Sequence, residues 1–183
     1  MTVLEGPSVR LRPFEPADYP RLISWYDDPE VVAPFDRFLA DDAESFRRSV
    51  ESARTDPGSL APRFGIERRK EGDLVGAVGH YQAHPVLEFE DVWYLLGEPS
   101  ARGQGIGRES VGLLVDYLFR TTAVARIGAT CDVENTASYR LVEGLGFRRE
   151  GTLRSALFHH GRWHDVFVYG TTRPEWAGRA RPA

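Results

Sequence analysis

The alternation of apolar and polar residues divides the chain into short segments, and most of them choose between strand and helix by their period. Ser8-Val9-Arg10-Leu11-Arg12-Pro13-Phe14 alternates and reads as an opening strand suited to a sheet edge. Asp18 to Tyr26, with Leu22, Ile23 and Trp25 to bury, reads as a short helix. Asp27-Asp28-Pro29-Glu30 is an acidic turn, and Val31 to Leu39 has little period and reads as a loop with room for a helical turn. Asp41-Asp42-Ala43-Glu44 starts a helix with an acidic cap and a Glu three residues on. That helix runs to Arg54, and Thr55-Asp56-Pro57-Gly58-Ser59 ends it. Phe64 to Arg68 and Leu74 to Tyr81 are strands joined by the polar turn Lys70-Glu71-Gly72-Asp73, with Gly76 and Gly79 marking close backbone approach. After a loop at His84-Pro85, Asp91 to Leu96 is rich in aromatic and branched residues and reads as a buried strand. Gly97-Glu98-Pro99-Ser100 breaks it.

From Arg108 to Arg120 the period changes. Val111, Leu114, Val115 and Leu118 fall at i, i+3, i+4 and i+7, one stripe of a helix. Arg126 to Val133 alternates as the next strand. Asn135 caps a second helix with Leu141, Val142 and Leu145 inward and Gly146 as its stop. Leu153 to His159 and Trp163 to Gly170 are two strands joined at His160-Gly161-Arg162. Helices early, strands in the middle and strand–helix alternation late predict one α+β domain, a mixed sheet flanked by helices. The domain is expected to span residues 1–176, with 177–183 a frayed tail.

The strand, glycine-rich turn and helix around Arg102-Gly103-Gln104-Gly105-Ile106-Gly107 carry the first chemistry. Glycines let a backbone approach a ligand, and the first N–H groups of a helix have no intrahelical partner, so the unit is an anion site. A dinucleotide fingerprint would need glycine where Arg108 stands, and no Gly-Lys-Ser/Thr ending of a nucleotide-hydrolase loop occurs. What fits is Arg-x-x-Gly-x-Gly, which resembles the pyrophosphate loop of the GNAT superfamily of N-acetyltransferases. A second block, Asp132 to Gly151, strengthens the likeness. Its Glu-Asn-x-x-Ser and Gly-Phe-x-x-Glu-Gly details, with Gly161-Arg162-Trp163-His164-Asp165 and Glu175-Trp176 downstream, resemble the subfamily of ribosomal-protein N-terminal acetyltransferases. The likeness covers nearly the whole chain and is weakest before about Phe64 and after Trp176.

The resemblance implies a GNAT fold with a mostly antiparallel central sheet and acetyl-CoA as cosubstrate. It places the pyrophosphate on the loop of Arg102, Gly103, Gln104, Gly105, Ile106, Gly107 and Arg108, the pantetheine amides against the backbone of Leu95, Leu96 and Gly97, and further coenzyme contacts at Asn135 and Ser138. An N–H near Leu95 to Gly97 would stabilise the carbonyl oxygen. Many superfamily members carry a tyrosine seven residues after the asparagine to protonate the departing thiolate. Val142 stands there, so Ser138 or a water would have to serve, and Tyr139 faces elsewhere. For the base the order is Asp91, then Glu90 and Glu88, with His80 on a neighbouring strand behind them. Glu90 and Asp91, being adjacent in a strand, point to opposite faces. The function implied is transfer of acetyl to a primary amine, a protein N-terminus or a small molecule, by direct attack in a ternary complex. The alternative is an acyl-CoA-binding module without turnover.

Composition narrows the partners. The 183 residues are enough for one core, and the 42% hydrophobic and 27% charged residues are ordinary. A net charge of −4 gives no reason to expect nucleic acid. No apolar run is long enough for a membrane span and no signal peptide precedes the fold, so a cytoplasmic monomer or homodimer is the expectation. The single cysteine, Cys131, excludes an internal disulfide and reads as core filler. His159, His160 and His164 do not share one strand face at metal spacing, so surface or cleft-rim roles and no metal are expected. Asp27, Asp28, Glu30 and Asp36, beside Trp25 and Phe35, are candidates for receiving a cationic acceptor.

Overall fold

The computed structural model describes residues 2–26, 28, 31, 63–82 and 88–179. The expected helix of 41–54, its closing turn and nearly all of the preceding loop lie outside them. The elements run β1 (Leu4–Glu5), β2 (Val9–Arg12), a 3-10 turn, α1 (Tyr19–Tyr26), β3 (Arg63–Arg68), β4 (Leu74–Gln82), β5 (Glu90–Leu96), α2 (Ile106–Thr121), β6 (Arg126–Asp132), α3 (Thr136–Gly144), β7 (Arg148–His159), β8 (Arg162–Thr172) and α4 (Arg173–Gly178). The eight strands form one sheet in the order β1-β2-β3-β4-β5-β6-β8-β7. Every pairing is antiparallel except β5 with β6. This is the mixed, mostly antiparallel α+β sheet expected. β2 is not the edge: β1 pairs outside it, Leu4 opposite Leu11. The other edge is β7, twelve residues long and exposed from Arg148 to Ala156.

Two apolar layers hold helices to the sheet. On one face the α2 stripe Val111, Leu114, Val115 and Leu118, each at most 1% exposed, packs with Val78, Val92, Ile127, Ala129, Tyr169 and, from α3, Val142. On the other face α1 lays Leu22 and Trp25 against Leu74, Ala77 and Leu95. Burying one such leucine stabilises by roughly 1.5–3 kcal/mol, so each layer is a substantial contribution. The expected close approaches at Gly76 and Gly79 are present: a Cβ on Gly76 would meet Leu95 O, and one on Gly79 would lie 2.7 Å from the Trp93 ring. No helix among the described residues is long and apolar enough to cross a membrane.

β5 and β6 pair only at their starts, Glu90 with Ile127 and Asp91 with Gly128. Beyond those residues the two strands part. A gap therefore opens in the middle of the sheet towards the C-terminal ends of both, where α2 and α3 begin.

Candidate active site

The mouth of that gap is the N-terminus of α2. Gly103 and Gly105 take φ of 73° and 80°, left-handed values that side chains other than glycine adopt only with strain. Gly105 is the N-cap, and the N–H of Glu109 is bonded back to its carbonyl at 2.9 Å, so the amides before Glu109 precede the helix's own ladder. A Cβ at Gly103 or Gly105 would meet nothing within 4 Å, whereas one at Gly107 would lie 2.9 Å from Leu141 Cδ1. Two of the glycines thus serve the turn's conformation, and the third lets α3 approach α2. The carboxylate of Glu109 is turned away from the mouth and accepts the N–H groups of Ser8 and Val9 at 2.8 and 3.1 Å.

The flanking arginines are tied into the frame. Arg102 donates to Leu96 O at 3.2 Å, at the end of β5. Arg108 donates to the carbonyl of Gly144, closing the C-terminus of α3. Gln104 donates to Ser100 O. All three are exposed at the mouth. Leu95 is buried, Leu96 half-buried, and Gly97 fits under Trp25, whose ring an added Cβ would enter. Gly97 and Glu98 both donate N–H groups to Val75 O. Trp25 is therefore a core residue, 4% exposed, with its indole N–H on Glu98 Oε1 at 3.1 Å. Asp28 is exposed; Asp27, Glu30, Phe35 and Asp36 lie outside the described residues.

Inside the gap, one cluster joins both strands and α3. Tyr94 of β5 shares a 2.7 Å hydrogen bond with Ser138 Oγ and donates to Ser138 O at 3.1 Å; Ser138 Oγ lies 3.2 Å from Cys131 Sγ of β6. Burial, and then the neighbouring Cys131, hold the Tyr94 phenol above its usual range, so it stays a donor. Burial likewise raises Cys131. Tyr94 was not among the residues expected from sequence; its period-2 position opposite the α3 face was the available signal. Asn135 Oδ1 accepts the N–H of Ser138 at 3.0 Å, the N-cap role its position allowed. Tyr139 packs edge-on against Phe167, and Val142 is fully buried.

At the closed end of the gap the carboxylates separate as adjacent strand residues must. Asp91, 9% exposed, lies against Gly128, on the face that carries α1. Its pKa is pushed from 3.8 to about 6, first by burial; Arg126 draws it down, and Glu90 and Glu150 add to the rise. Glu90 is on the opposite face, with Oε2 2.9 Å from His80 Nδ1. The far nitrogen of His80, Nε2, is buried and has no hydrogen-bond partner among the described residues. Glu88 is exposed and precedes the strand. The expected surface histidines divide: His160 is exposed, but His159 and His164 are buried at 6% and 3%, because the β7–β8 hairpin folds their side chains inward over Asp132.

A sheet splayed between two parallel strands, with a glycine-opened helix end at its mouth, agrees with the comparisons. Residues 8–148 match the acetyltransferase (GNAT) domain. The chain belongs to the GNAT acetyltransferase family. It is 27% identical over 168 residues, 91% of this chain and 94% of the other, to the uncharacterized N-acetyltransferase YnaD of Bacillus subtilis. Over 75 residues, 41% of this chain and 39% of the other, it is 32% identical to the ribosomal protein uS5-alanine N-acetyltransferase of Escherichia coli. Among solved structures it is similar to Mycobacterium smegmatis RimJ in complex with CoA-disulfide, with a TM-score of 0.79, 25% identity, and coverage of 95% and 87% of the two chains. The protein is an acetyl-CoA-dependent N-acetyltransferase, and its likeness to the ribosomal-protein acetyltransferases is upheld.

Proposed function

We propose that this GNAT acetyltransferase moves acetyl to a primary amine by direct attack within a ternary complex, and that the amine is a protein N-terminus. The placement of Asp91 carries the transfer chemistry, and the likeness to the ribosomal protein uS5-alanine N-acetyltransferase supports the choice of acceptor. Asp91 stands on the α1 face at the closed end of the β5–β6 gap, five strand residues and so roughly 16 Å from Leu96, along the direction an extended pantetheine arm would take. Acetyl-CoA supplies a thioester carbonyl. The amine nitrogen forms a bond to that carbon, the C–S bond breaks, and sulfur leaves as thiolate.

The chain's own groups do the rest. Amides at 105–108 and the positive end of α2 hold the pyrophosphate. The unladdered edge of β5 near Leu95 pairs with the pantetheine amides. Asp91, ionised above about pH 6, takes the amine's proton directly or through water. Tyr94 and Ser138 face the gap as hydroxyl donors. A thiol titrates near ~8.5 and a phenol near ~10, so the pair stabilises a thiolate by hydrogen bonding and full proton transfer is unnecessary.

Release of CoA thiol is the assay, run with peptides bearing free N-termini, the same peptides blocked, and a panel of small amines. The proposal expects turnover with free N-terminal peptides and none with blocked ones. Turnover confined to small amines would remove the N-terminal assignment and leave the transfer chemistry in place. Absence of turnover with every acceptor would favour a coenzyme-binding role.

A further inference from the structure

Apart from the coenzyme gap, the densest collection of chemistry is a buried knot at the C-terminal end of β6. Asp132, His159 and His164 are 6%, 6% and 3% exposed. Sheet register brings them together. Asp132 lies opposite Val166, His164 opposite Leu157, and His159 opposite Arg162, which places all three side chains on one face. The two imidazoles stack with centroids 3.5 Å apart and planes 20° from parallel. Asp132 Oδ2 bonds His159 Nε2 and lies 3.5 Å from His164 Nδ1, which is also 3.5 Å from Glu134 Oε2. One donor atom from each of Asp132, His159 and His164 falls within 4.8 Å of the others. His164 is the oddity: neither ring nitrogen has a hydrogen-bond partner among the described residues, although its side chain is 2% exposed. Leaving two buried polar atoms unmatched is costly unless something else satisfies them.

We propose that Asp132 Oδ2, His159 Nε2 and His164 Nδ1 bind one divalent ion of the zinc class. Two imidazole nitrogens and one carboxylate suit zinc, cobalt, nickel or copper, whereas calcium and magnesium take oxygen ligands. Metal–ligand bonds of ~2.0–2.1 Å in a tetrahedron put neighbouring ligand atoms about 3.4 Å apart, close to the 3.5 Å between Asp132 Oδ2 and His164 Nδ1. Binding requires His159 Nε2 to release Asp132 and the stacked rings to turn apart, a side-chain adjustment within the hairpin. The surroundings already orient the ligands. His159 Nδ1 lies 2.8 Å from His160 Nδ1, which can accept its proton and fix the tautomer that leaves Nε2 for the metal. Asp132 Oδ1 accepts the N–H of Glu134 at 2.7 Å, and Asp132 O accepts that of Asn135 at 3.0 Å. The proposed centre thus sits on the turn that carries the α3 cap, on the sheet face shared with Asp91.

Tag-free protein stripped with a chelator tests this by titration with Co2+ and Zn2+. The expected result is one Co2+ per chain, with the visible absorption of a four-coordinate N/O site, displaced by Zn2+ and unaffected by a hundredfold excess of Mg2+ or Ca2+. His164→Gln and Asp132→Asn should each weaken binding at least tenfold with the circular dichroism unchanged. Should either variant fail to fold, Cu2+ electron paramagnetic resonance on the wild type counts the ligands independently, and two imidazole nitrogens are expected. Wild-type protein that takes up no Co2+ overturns the proposal and leaves the knot a proton-sharing pair. So does a bound Cu2+ with fewer than two nitrogens, or an affinity unaltered in both folded variants.

Discussion

Asp91→Asn separates the chemistry of the base from the stability of the fold, because the two should change in opposite directions. Burial raises the carboxyl from 3.8 to about 6 in the folded protein. Below pH 3.8 it is protonated in both folded and unfolded chains and has no effect on the balance between them. Between 3.8 and 6 the folded state binds more protons than the unfolded, so stability falls as pH rises. Above 6 the folded chain holds a desolvated carboxylate; at ~1.4 kcal/mol for each pKa unit that is a penalty of about 3 kcal/mol. Asparagine keeps the shape and never ionises. The variant should therefore match wild type in urea unfolding at pH 3.5 and exceed it by up to about 3 kcal/mol at pH 8, a gain of roughly 6–12 °C in Tm for a chain of this length. In the thiol-release assay the same variant should lose ~100-fold or more in kcat/KM at neutral pH and recover part of it as the pH rises and free amine accumulates. A stability difference that is the same at both pH values would refute the buried-carboxylate argument. A pH–rate profile that overlays wild type would remove Asp91 from the reaction and turn attention to the His80–Glu90 pair on the other face, where His80 Nε2 is buried without a hydrogen-bond partner among the described residues.

Three further outcomes follow from geometry already described. Gly105→Val should abolish acetyl-CoA binding by calorimetry, since a branched side chain at φ 80° strains the turn by about 1–2 kcal/mol and its bulk covers the helix end; an unchanged affinity in the folded variant would count against the loop. Ser138→Ala and Tyr94→Phe should each lower turnover about tenfold, by one lost hydrogen bond to the thiolate, while Tyr139→Phe, which removes only a hydroxyl from a packed ring, should not; impairment in Tyr139→Phe alone would mean the wrong hydroxyls were chosen. Asp18→Ala should destabilise the fold by roughly 1.5–3 kcal/mol in denaturant titration, because it removes the charged bonds from Arg12 at 2.7 Å and from the Glu15 N–H at 2.7 Å, while Arg12 keeps Glu67. Burial works against the Asp18 carboxylate, but Arg12 and the Glu15 N–H outweigh it and hold its pKa below 3.8, so this contribution should be present above that pH and fade as the solution is acidified through the lowered value.

What could be read from sequence depended on how local the information was. The stripe at Val111, Leu114, Val115 and Leu118 is set by one helix's own period, and it is buried as expected. The Asn135 cap and the positive-φ glycines of the loop are equally local, since a cap or a turn is specified within four residues. Thr172-Arg173-Pro174-Glu175 is local too; it forms a capping box that starts α4, a signal present in the sequence and passed over. Non-local facts were out of reach. That Tyr94 meets Ser138 depends on where β5 parts from β6, which no strand records alone. That Arg108 closes α3 depends on the crossing of two helices. The spacing of His159, His160 and His164 along the chain says nothing of the hairpin register that stacks His159 on His164, so spacing along one strand was the wrong measure for that cluster.

The long exposed β7 bears on strand-to-strand aggregation. A row of unpaired backbone groups at a sheet edge is a template for another chain. The opposite margin is blunted by brevity, β1 being two residues. β7 instead carries Arg148, Arg149, Glu150 and Arg154, and breaks its own line at Ser155, where φ is 48° and the register with β8 slips. Charge and a kink together make the strand a poor platform for adding strands end over end. Smoothing that irregularity or neutralising those arginines would leave Leu153, already 52% exposed, on a straighter and less charged edge, and the first symptom would be loss of solubility at high concentration before any loss of catalysis.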